Sequence, residues 1–247
     1  MPSPVNQARL PDVDGRWRRL LDGLWPGRCL ACAEAGLPGR DLCGACFAAL
    51  PWNRHACTYC AIPLPAVADH GAPRACGACL RKPPPVQATR AAFVYAAPLD
   101  RLLPRFKFHR DLAAGRLLSQ LMVLDLADAE RPQALLAVPL HRARLRVRGY
   151  DQALELVRPL ARALQLPLLS GALQRVRATA PQSELDAARR KRNLRGAFSV
   201  APDARLPAHV ALVDDVMTTG ATLHAAAVAL KRAGVARVDA WVCARVP

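Results

Sequence analysis

Four cysteine pairs constrain this chain more than any other feature of its sequence. Each pair has the form CxxC, and the eight residues are Cys29, Cys32, Cys43, Cys46, Cys57, Cys60, Cys76 and Cys79. A CxxC turn places two sulfurs on the same side of a tight turn, where both reach a tetrahedral ion at about 2.3 Å. Two pairs complete a four-cysteine site, so we expect two structural Zn2+ ions. Metal binding would supply folding free energy to a segment that has few large apolar residues.

The spacing of the pairs predicts how they combine. Ten residues separate the first two pairs and 15 separate the last two, which favours two sequential sites over an interleaved cross-brace. Cysteine alone would fill both sites, so His55 and His70 are not expected to be ligands. A redox role is the weaker interpretation, because redox CxxC motifs rarely occur in fours. Cys243 stands alone and is interpreted as a small core residue.

Composition and charge limit the class of protein. The chain has 247 residues of which 52% are apolar, which excludes a disordered chain. No apolar run approaches the roughly 18 residues of a membrane span, and the N-terminus lacks the layout of a secretory signal. We therefore expect a soluble, cytoplasmic protein. The formal charge of +16 suits a polyanionic partner such as nucleic acid, but a compositional bias explains it equally well, since only four of the 35 basic residues are lysines.

The chain divides by composition into four segments. Residues 1–28 hold one amphipathic helix, 29–80 form a double zinc ribbon, 81–86 are a proline-rich linker, and 87–247 form the main domain. Strand and helix patterns alternate through the last segment, which predicts an α/β fold: a mostly parallel sheet with helices on both faces. The expected strands are 91–95, 134–140, 210–214 and 237–245, with helices at 151–164 and 222–233.

A ligand site is predicted where the 210–214 strand ends. From Val210 to Thr222 the sequence reads VALVDDVMTTGAT, in which Asp214 and Asp215 end the strand and Thr218–Thr222 turn into a helix. Ligands of α/β sheets bind at such strand ends. The backbone N–H groups of the turn and the helix dipole suit a phosphate, whereas the carboxylates suit diol hydroxyls. A ligand with a 5′-phosphate and a ribose diol meets both demands.

This segment resembles the 13-residue phosphoribosyl pyrophosphate (PRPP) motif of type I phosphoribosyltransferases. With the double zinc ribbon before it, the chain is identified as a member of the ComF (GntX) family. Three further segments match that family: LLPRFKFHRD at 102–111, the VP and RGYDQ residues within 138–152, and the PQ to AF residues within 181–198. The resemblance covers residues from about 17 to 247 and implies a type I phosphoribosyltransferase-like domain.

The resemblance also implies which residues bind PRPP as its Mg2+ complex. Thr218–Thr222 would hold the 5′-phosphate, Asp214 and Asp215 the ribose diol, and Arg148 the departing pyrophosphate; these last three are the catalytic candidates. Residues 179–195 correspond to the mobile loop that closes over the active site in this superfamily. The full implied set is Val213, Asp214, Asp215, Val216, Met217, Thr218, Thr219, Gly220, Ala221, Thr222, Arg148, Gly149, Gln182 and Arg190.

Two positions depart from related patterns. Asp151 stands where the family usually has asparagine, which puts a carboxylate near the pyrophosphate site. Thr218 stands where purine-salvage transferases have an aspartate that hydrogen-bonds the base. The motif therefore shows no general base for a nucleobase, and the acceptor is not specified.

Two functions follow from the resemblance. One is a PRPP-binding protein of natural competence and DNA uptake that transfers a phosphoribosyl group to an unknown acceptor. The other is a PRPP- or nucleotide-responsive protein that binds single-stranded DNA without transfer chemistry, through a basic face and a few aromatics. Either function would bring contacts with the DNA-uptake machinery.

Overall fold

The computed structural model describes residues 27–66, 74–177, 194 and 196–247. The predicted N-terminal helix lies outside these ranges apart from residues 27 and 28, and His70, Gln182 and Arg190 lie outside them too. The chain divides into two compact units, Met1–Ala49 and Leu50–Pro247. The first four cysteines belong to the smaller unit and the second four to the larger one. The domain bounds given above stay a prediction.

The described residues form seven helices and six strands. The helices are α1 (Gly44–Ala48), α2 (Gly77–Arg81), α3 (Leu99–Phe108), α4 (Leu112–Leu126), α5 (Arg142–Arg148), α6 (Gln152–Leu164) and α7 (Ala221–Arg232). The strands are β1 (Thr89–Val94), β2 (Ala134–Ala137), β3 (Leu173–Arg175), β4 (Phe198–Val200), β5 (His209–Met217) and β6 (Arg237–Arg245). None of the helices in the described ranges combines the length and the apolar character that crossing a bilayer requires.

A four-stranded parallel sheet organises the larger unit. Its strand order is β1-β6-β5-β2, and β3 and β4 form a separate antiparallel pair. Every residue of β6 after the first is buried, as expected for a strand covered on both faces. On one face Val210 and Leu212 share a core cluster with Leu223 and Leu230 of α7. The predicted parallel α/β sheet with its helices, preceded by a cysteine-rich zinc ribbon module, is confirmed.

Two local expectations were wrong. Strand β5 does not end at the aspartates but runs to Met217, because β6 continues to pair with it as far as Arg245. Strand β2 ends at Ala137, three residues before the predicted end. Both differences in strand length reflect the partner strand, which a local pattern does not contain.

Candidate functional site

The first four cysteines bring their thiols together in the smaller unit. The Sγ atoms of Cys29, Cys32, Cys43 and Cys46 lie within 4.8 Å of one another. The Cys32 and Cys43 sulfurs are 3.6 Å apart, close to the spacing of about 3.8 Å that a tetrahedron with Zn–S bonds of about 2.3 Å requires. The Cys46 N–H donates to Cys43 Sγ at 3.4 Å. This donor set fits Zn2+.

The second group repeats the arrangement in the larger unit. Cys57, Cys60, Cys76 and Cys79 meet the same 4.8 Å limit, and the Cys60 and Cys76 sulfurs are 3.7 Å apart. The Cys76 N–H donates to Cys57 Sγ at 3.3 Å. Both groups join neighbouring pairs, as the sequential arrangement predicts and a cross-brace does not. Two four-cysteine sites therefore fit the double zinc ribbon.

One thiol of each group ionises readily. Burial opposes ionisation of Cys29, but backbone groups of Cys43 and Cys32 outweigh it and lower the Cys29 pKa to about 6. Burial is likewise outweighed at Cys76, where hydrogen bonds from Cys79 lower the pKa to about 7. Because zinc binds the thiolate, the lowered pKa of one thiol in each group favours metal binding.

A cavity of about 830 Å³ opens at the carboxyl end of the sheet in the larger unit. It gathers cations from α3, α5, β3 and the loop after α3 around the carboxylates of β5 and of the residue that caps α6. The cations are Lys107, Arg110, Arg144, Arg148 and Arg175, and the carboxylates are Asp151, Asp214 and Asp215. Such a mixture suits a ligand that carries both anionic groups and hydroxyls.

The two aspartates of β5 form the acidic centre of this cavity. Asp215 is buried, and its Oδ2 lies 3.2 Å from Lys107 Nζ. Burial raises the pKa of Asp214 well above its ordinary range; the charge of Asp215 raises it further, and Lys107 opposes both effects. Lys107 therefore favours the ionised form of Asp214, against the effects of burial and of the neighbouring carboxylate.

A second part of the cavity is built around Arg148 at the end of α5. Its Nη1 donates to Gln152 Oε1 at 2.6 Å, and its guanidinium lies 5.6 Å from the centre of the Phe108 ring. Arg144 is one helical turn earlier and also lines the cavity, because residues four apart share a helix face. Gly149 ends the helix at φ +83°, a conformation that favours glycine.

Asp151 has a defined local role. Its Oδ2 accepts from the Leu140 N–H at 3.0 Å, and its Oδ1 accepts from the Leu154 N–H at 3.1 Å as the cap of α6. The first hydrogen bond joins the two ends of the 140–151 segment, and the second fixes the start of α6. Burial is the main cause of a raised Asp151 pKa. The aspartate that departs from the family pattern shapes this wall of the cavity through the backbone.

The segment Thr218–Thr222, which the sequence predicts to bind a phosphate and which is called the phosphate loop below, leads from β5 into the first residues of α7. Gly220 is the N-cap of α7 at φ +74° and has no side chain to cap the helix. Thr218 and Thr219 are exposed, whereas Val213 and Met217 are buried in the core. Any contact of Val213 or Met217 with a ligand is thereby limited to their backbone. Of the segment 213–222, Asp214, Asp215, Val216 and Thr222 line the cavity.

Sequence reasoning missed Arg175 and gave Lys107 no role in the site. Arg175 ends the three-residue strand β3 and is 9% exposed, with its guanidinium 5.5 Å from the centre of the Phe198 ring. Burial lowers the Arg175 pKa, and the charge of Arg144 acts in the same direction. No local motif marks this arginine. Lys107 lies within a segment that matches the family, which was the one available signal.

Comparison with known proteins supports both the double zinc ribbon and the family assignment. Residues 20–84 match the double zinc ribbon domain family. The chain is 37% identical over 230 residues to DNA utilization protein YhgH of Shigella flexneri and to that of Escherichia coli K12, covering 89% of this chain and 97% of each relative. It is 35% identical over 230 residues to competence protein F of Haemophilus influenzae, covering 88% and 96%. The chain belongs to the ComF family, together with these relatives.

Proposed function

We propose that this protein binds PRPP with Mg2+ in the cavity at the end of the sheet and acts in DNA utilisation or competence. The names of the relatives support the second part of this proposal. The first part rests on one observation: a single cavity brings the carboxylates of β5 together with arginines from α5 and β3. We further propose that the bound ligand donates its phosphoribosyl group to an acceptor.

Each part of PRPP has a chemical counterpart in the site. The phosphate loop presents backbone N–H groups at the start of α7, which suits the 5′-phosphate. Asp214 and Asp215 accept hydrogen bonds from the ribose hydroxyls. Arg144 and Arg148 present planar guanidinium groups that pair with two oxygens at once, which suits pyrophosphate.

Transfer would break the bond between ribose C1 and the pyrophosphate oxygen and form a bond from C1 to the acceptor. Positive charge develops at C1 and negative charge on the departing pyrophosphate. The arginines accelerate this step only if they bind the separated charges more tightly than they bind intact PRPP. Lys107 lies within reach of the same charges once Asp215 has another partner.

Magnesium bound with PRPP would neutralise phosphate charge and orient the leaving group. The described residues suit that role, because the adjacent Asp214 and Asp215 offer oxygen ligands beside the arginines.

The test is a calorimetric titration of the zinc-loaded protein with PRPP and Mg2+, with ribose 5-phosphate as the comparison ligand. We expect PRPP to bind, and expect binding to be lost in Asp214→Asn combined with Asp215→Asn. Asp203→Asn, at an exposed turn, is the control and should bind as the parent does. Absence of binding to the parent, or equal binding by the double variant, would refute the site. Pyrophosphate release in the presence of candidate acceptors then tests for transfer.

The rim of the cavity favours a second candidate, the binding of single-stranded DNA. Phe108 is 65% exposed beside Arg148, and Val147, which precedes Arg148 in the chain, is 83% exposed. Exposed aromatic and arginine groups suit stacked bases and a phosphate backbone. Fluorescence anisotropy with labelled single-stranded DNA should show affinity that falls steeply with salt and that drops in Phe108→Ala. An affinity that changes neither with salt nor in Phe108→Ala would show that single-stranded DNA does not bind at this face.

A further inference from the structure

The second four-cysteine group is built into the larger unit through its backbone. The Thr89 N–H donates to Thr58 O at 2.7 Å, and Thr89 Oγ1 donates to Tyr59 O at 2.8 Å. Asn53 Nδ2 donates to Ala61 O at 2.9 Å. These carbonyls belong to the turn that carries Cys57 and Cys60. The turn is therefore fixed against β1 by hydrogen bonds, in addition to the chain connection.

Arg245 connects the same turn to the phosphate loop. It is the last residue of β6 and is 9% exposed. Its Nε donates to Cys60 O at 2.9 Å, and its Nη1 donates to Met217 O at 3.3 Å. Nη1 also donates to Val246 O. One guanidinium thus spans from a zinc-ligand residue to the residue that immediately precedes the phosphate loop.

The packing around Arg245 makes this connection stiff. Met217 O accepts a further hydrogen bond from the Val246 N–H at 3.0 Å. Ala61 and Met217 are buried in one core cluster, which also contains Leu223 at the start of α7. A displacement of the cysteine turn would therefore be transmitted to both ends of the phosphate loop.

Hydrogen bonds satisfy the buried Arg245 guanidinium. Its acceptors are the carbonyl oxygens of Cys60, Met217 and Val246, and a buried polar group is costly unless it is hydrogen-bonded. Loss of zinc would free the cysteine turn, and with it the acceptor at Cys60.

We propose that Arg245 is a positioning residue that couples the second four-cysteine site to the phosphate loop, so that zinc at the one and a phosphate at the other stabilise each other. The ligand half of this statement rests on the proposed function, whereas the structural half stands without it. Coupling between two sites is reciprocal: if zinc tightens phosphate binding, the phosphate ligand tightens zinc binding by the same factor.

The first experiment does not depend on PRPP. Hydrogen–deuterium exchange of the amides from Met217 to His224 is compared between the parent, Arg245→Gln and Arg237→Gln. Arg237 is the matched control, because it lies at the opposite end of the same strand and pairs with Glu130 and Asp239. With both zinc ions retained, Arg245→Gln should exchange about 5- to 150-fold faster in this segment, the usual range of such coupling. Unchanged exchange would overturn the proposal.

The second experiment measures the reciprocal effect and uses no substitution at Arg245. In full-length protein carrying Cys29→Ser and Cys32→Ser, the remaining zinc is that of the second site. Equilibrium competition with a zinc-selective chelator should show several-fold tighter zinc binding when PRPP and Mg2+ are present. If PRPP binds without tightening zinc binding, the coupling is refuted. If PRPP does not bind the parent, the proposed function fails, and the exchange of 217–224 before and after chelation still decides the structural half.

Discussion

Replacing Gly220 with alanine tests the phosphate loop most directly, because the backbone there has a conformation that side chains disfavour. Gly220 has φ +74°, and a Cβ at this position would lie 2.5 Å from Met217 Cε and 3.0 Å from His224 Nε2. The left-handed conformation costs a non-glycine residue about 1–2 kcal/mol. A domain of this size loses about 2–4 °C in Tm for each kcal/mol, so we expect Gly220→Ala to unfold about 2–8 °C below the parent.

Ligand binding should fall by more than this stability loss explains. Relieving the contact with Met217 displaces the backbone N–H groups that start α7. One weakened hydrogen bond to a charged phosphate costs about 1.5–3 kcal/mol, which corresponds to about a 10- to 100-fold weaker affinity. Calorimetric titration with PRPP and Mg2+ measures this change at a temperature where all variants are folded.

Gly234→Ala is the matched control for this prediction. Gly234 has φ +94°, but a Cβ there would meet nothing within 4 Å. The variant should show the loss of stability from the backbone conformation and bind PRPP with the parent's affinity. Equal affinities for Gly220→Ala and Gly234→Ala would refute the placement of the phosphate in this loop. A Gly220→Ala protein as stable as the parent would refute the strain argument.

Three further predictions concern charge and metal. Lys107→Met removes the cation that favours the ionised form of Asp214, so PRPP affinity should fall near neutral pH and recover partly as pH rises. Calorimetry across pH measures this, with Lys231→Met as the control, and unchanged affinity would contradict the prediction. Asp214→Asn should stabilise the protein in the absence of ligand. The raised Asp214 pKa means that the folded state holds this proton more tightly than the unfolded state does. The parent therefore loses stability as pH rises from 3.8 to the raised pKa, whereas the asparagine variant does not. Thermal unfolding across that window should therefore show a difference that grows with pH and then stays constant. Chelation should remove two zinc ions per chain and lower Tm, as metal analysis and thermal unfolding would reveal; an unchanged Tm would show that zinc contributes nothing to folding.

The sequence was most informative where the chemistry is local. A CxxC pair is a complete half-site within four residues, so the spacing of Cys29 to Cys79 was enough to predict which thiols meet. The same holds for the turn of Thr218–Thr222, where β5 leads directly into α7. Both features depend on backbone turns whose residues are neighbours in the chain.

The site residues that the sequence did not predict come from segments that are distant along the chain. Lys107 reaches Asp215 across more than a hundred residues, and Arg175 arrives from a strand of three residues. The predicted length of β5 was wrong for the same reason. Its last residues form a strand because β6 pairs with them. Patterns of period 2 or 3.6 carry no information about such partners.

The charges of the cavity together restrict the ligand. Asp214, Asp215 and Asp151 would repel a ligand that carries phosphate alone, while the surrounding arginines and Lys107 would repel a free cation. Lys107 and Asp215 form an ion pair at 3.2 Å. A ligand that separates this pair would offer hydroxyls or a magnesium ion to the carboxylate, and an anionic oxygen to the ammonium group. Ribose 5-phosphate lacks a second anionic group near C1, whereas PRPP carries pyrophosphate there. Because the two ligands share every other group, the difference in their affinities measures what the arginines and Lys107 contribute, and equal affinities would mean that these cations do not bind pyrophosphate.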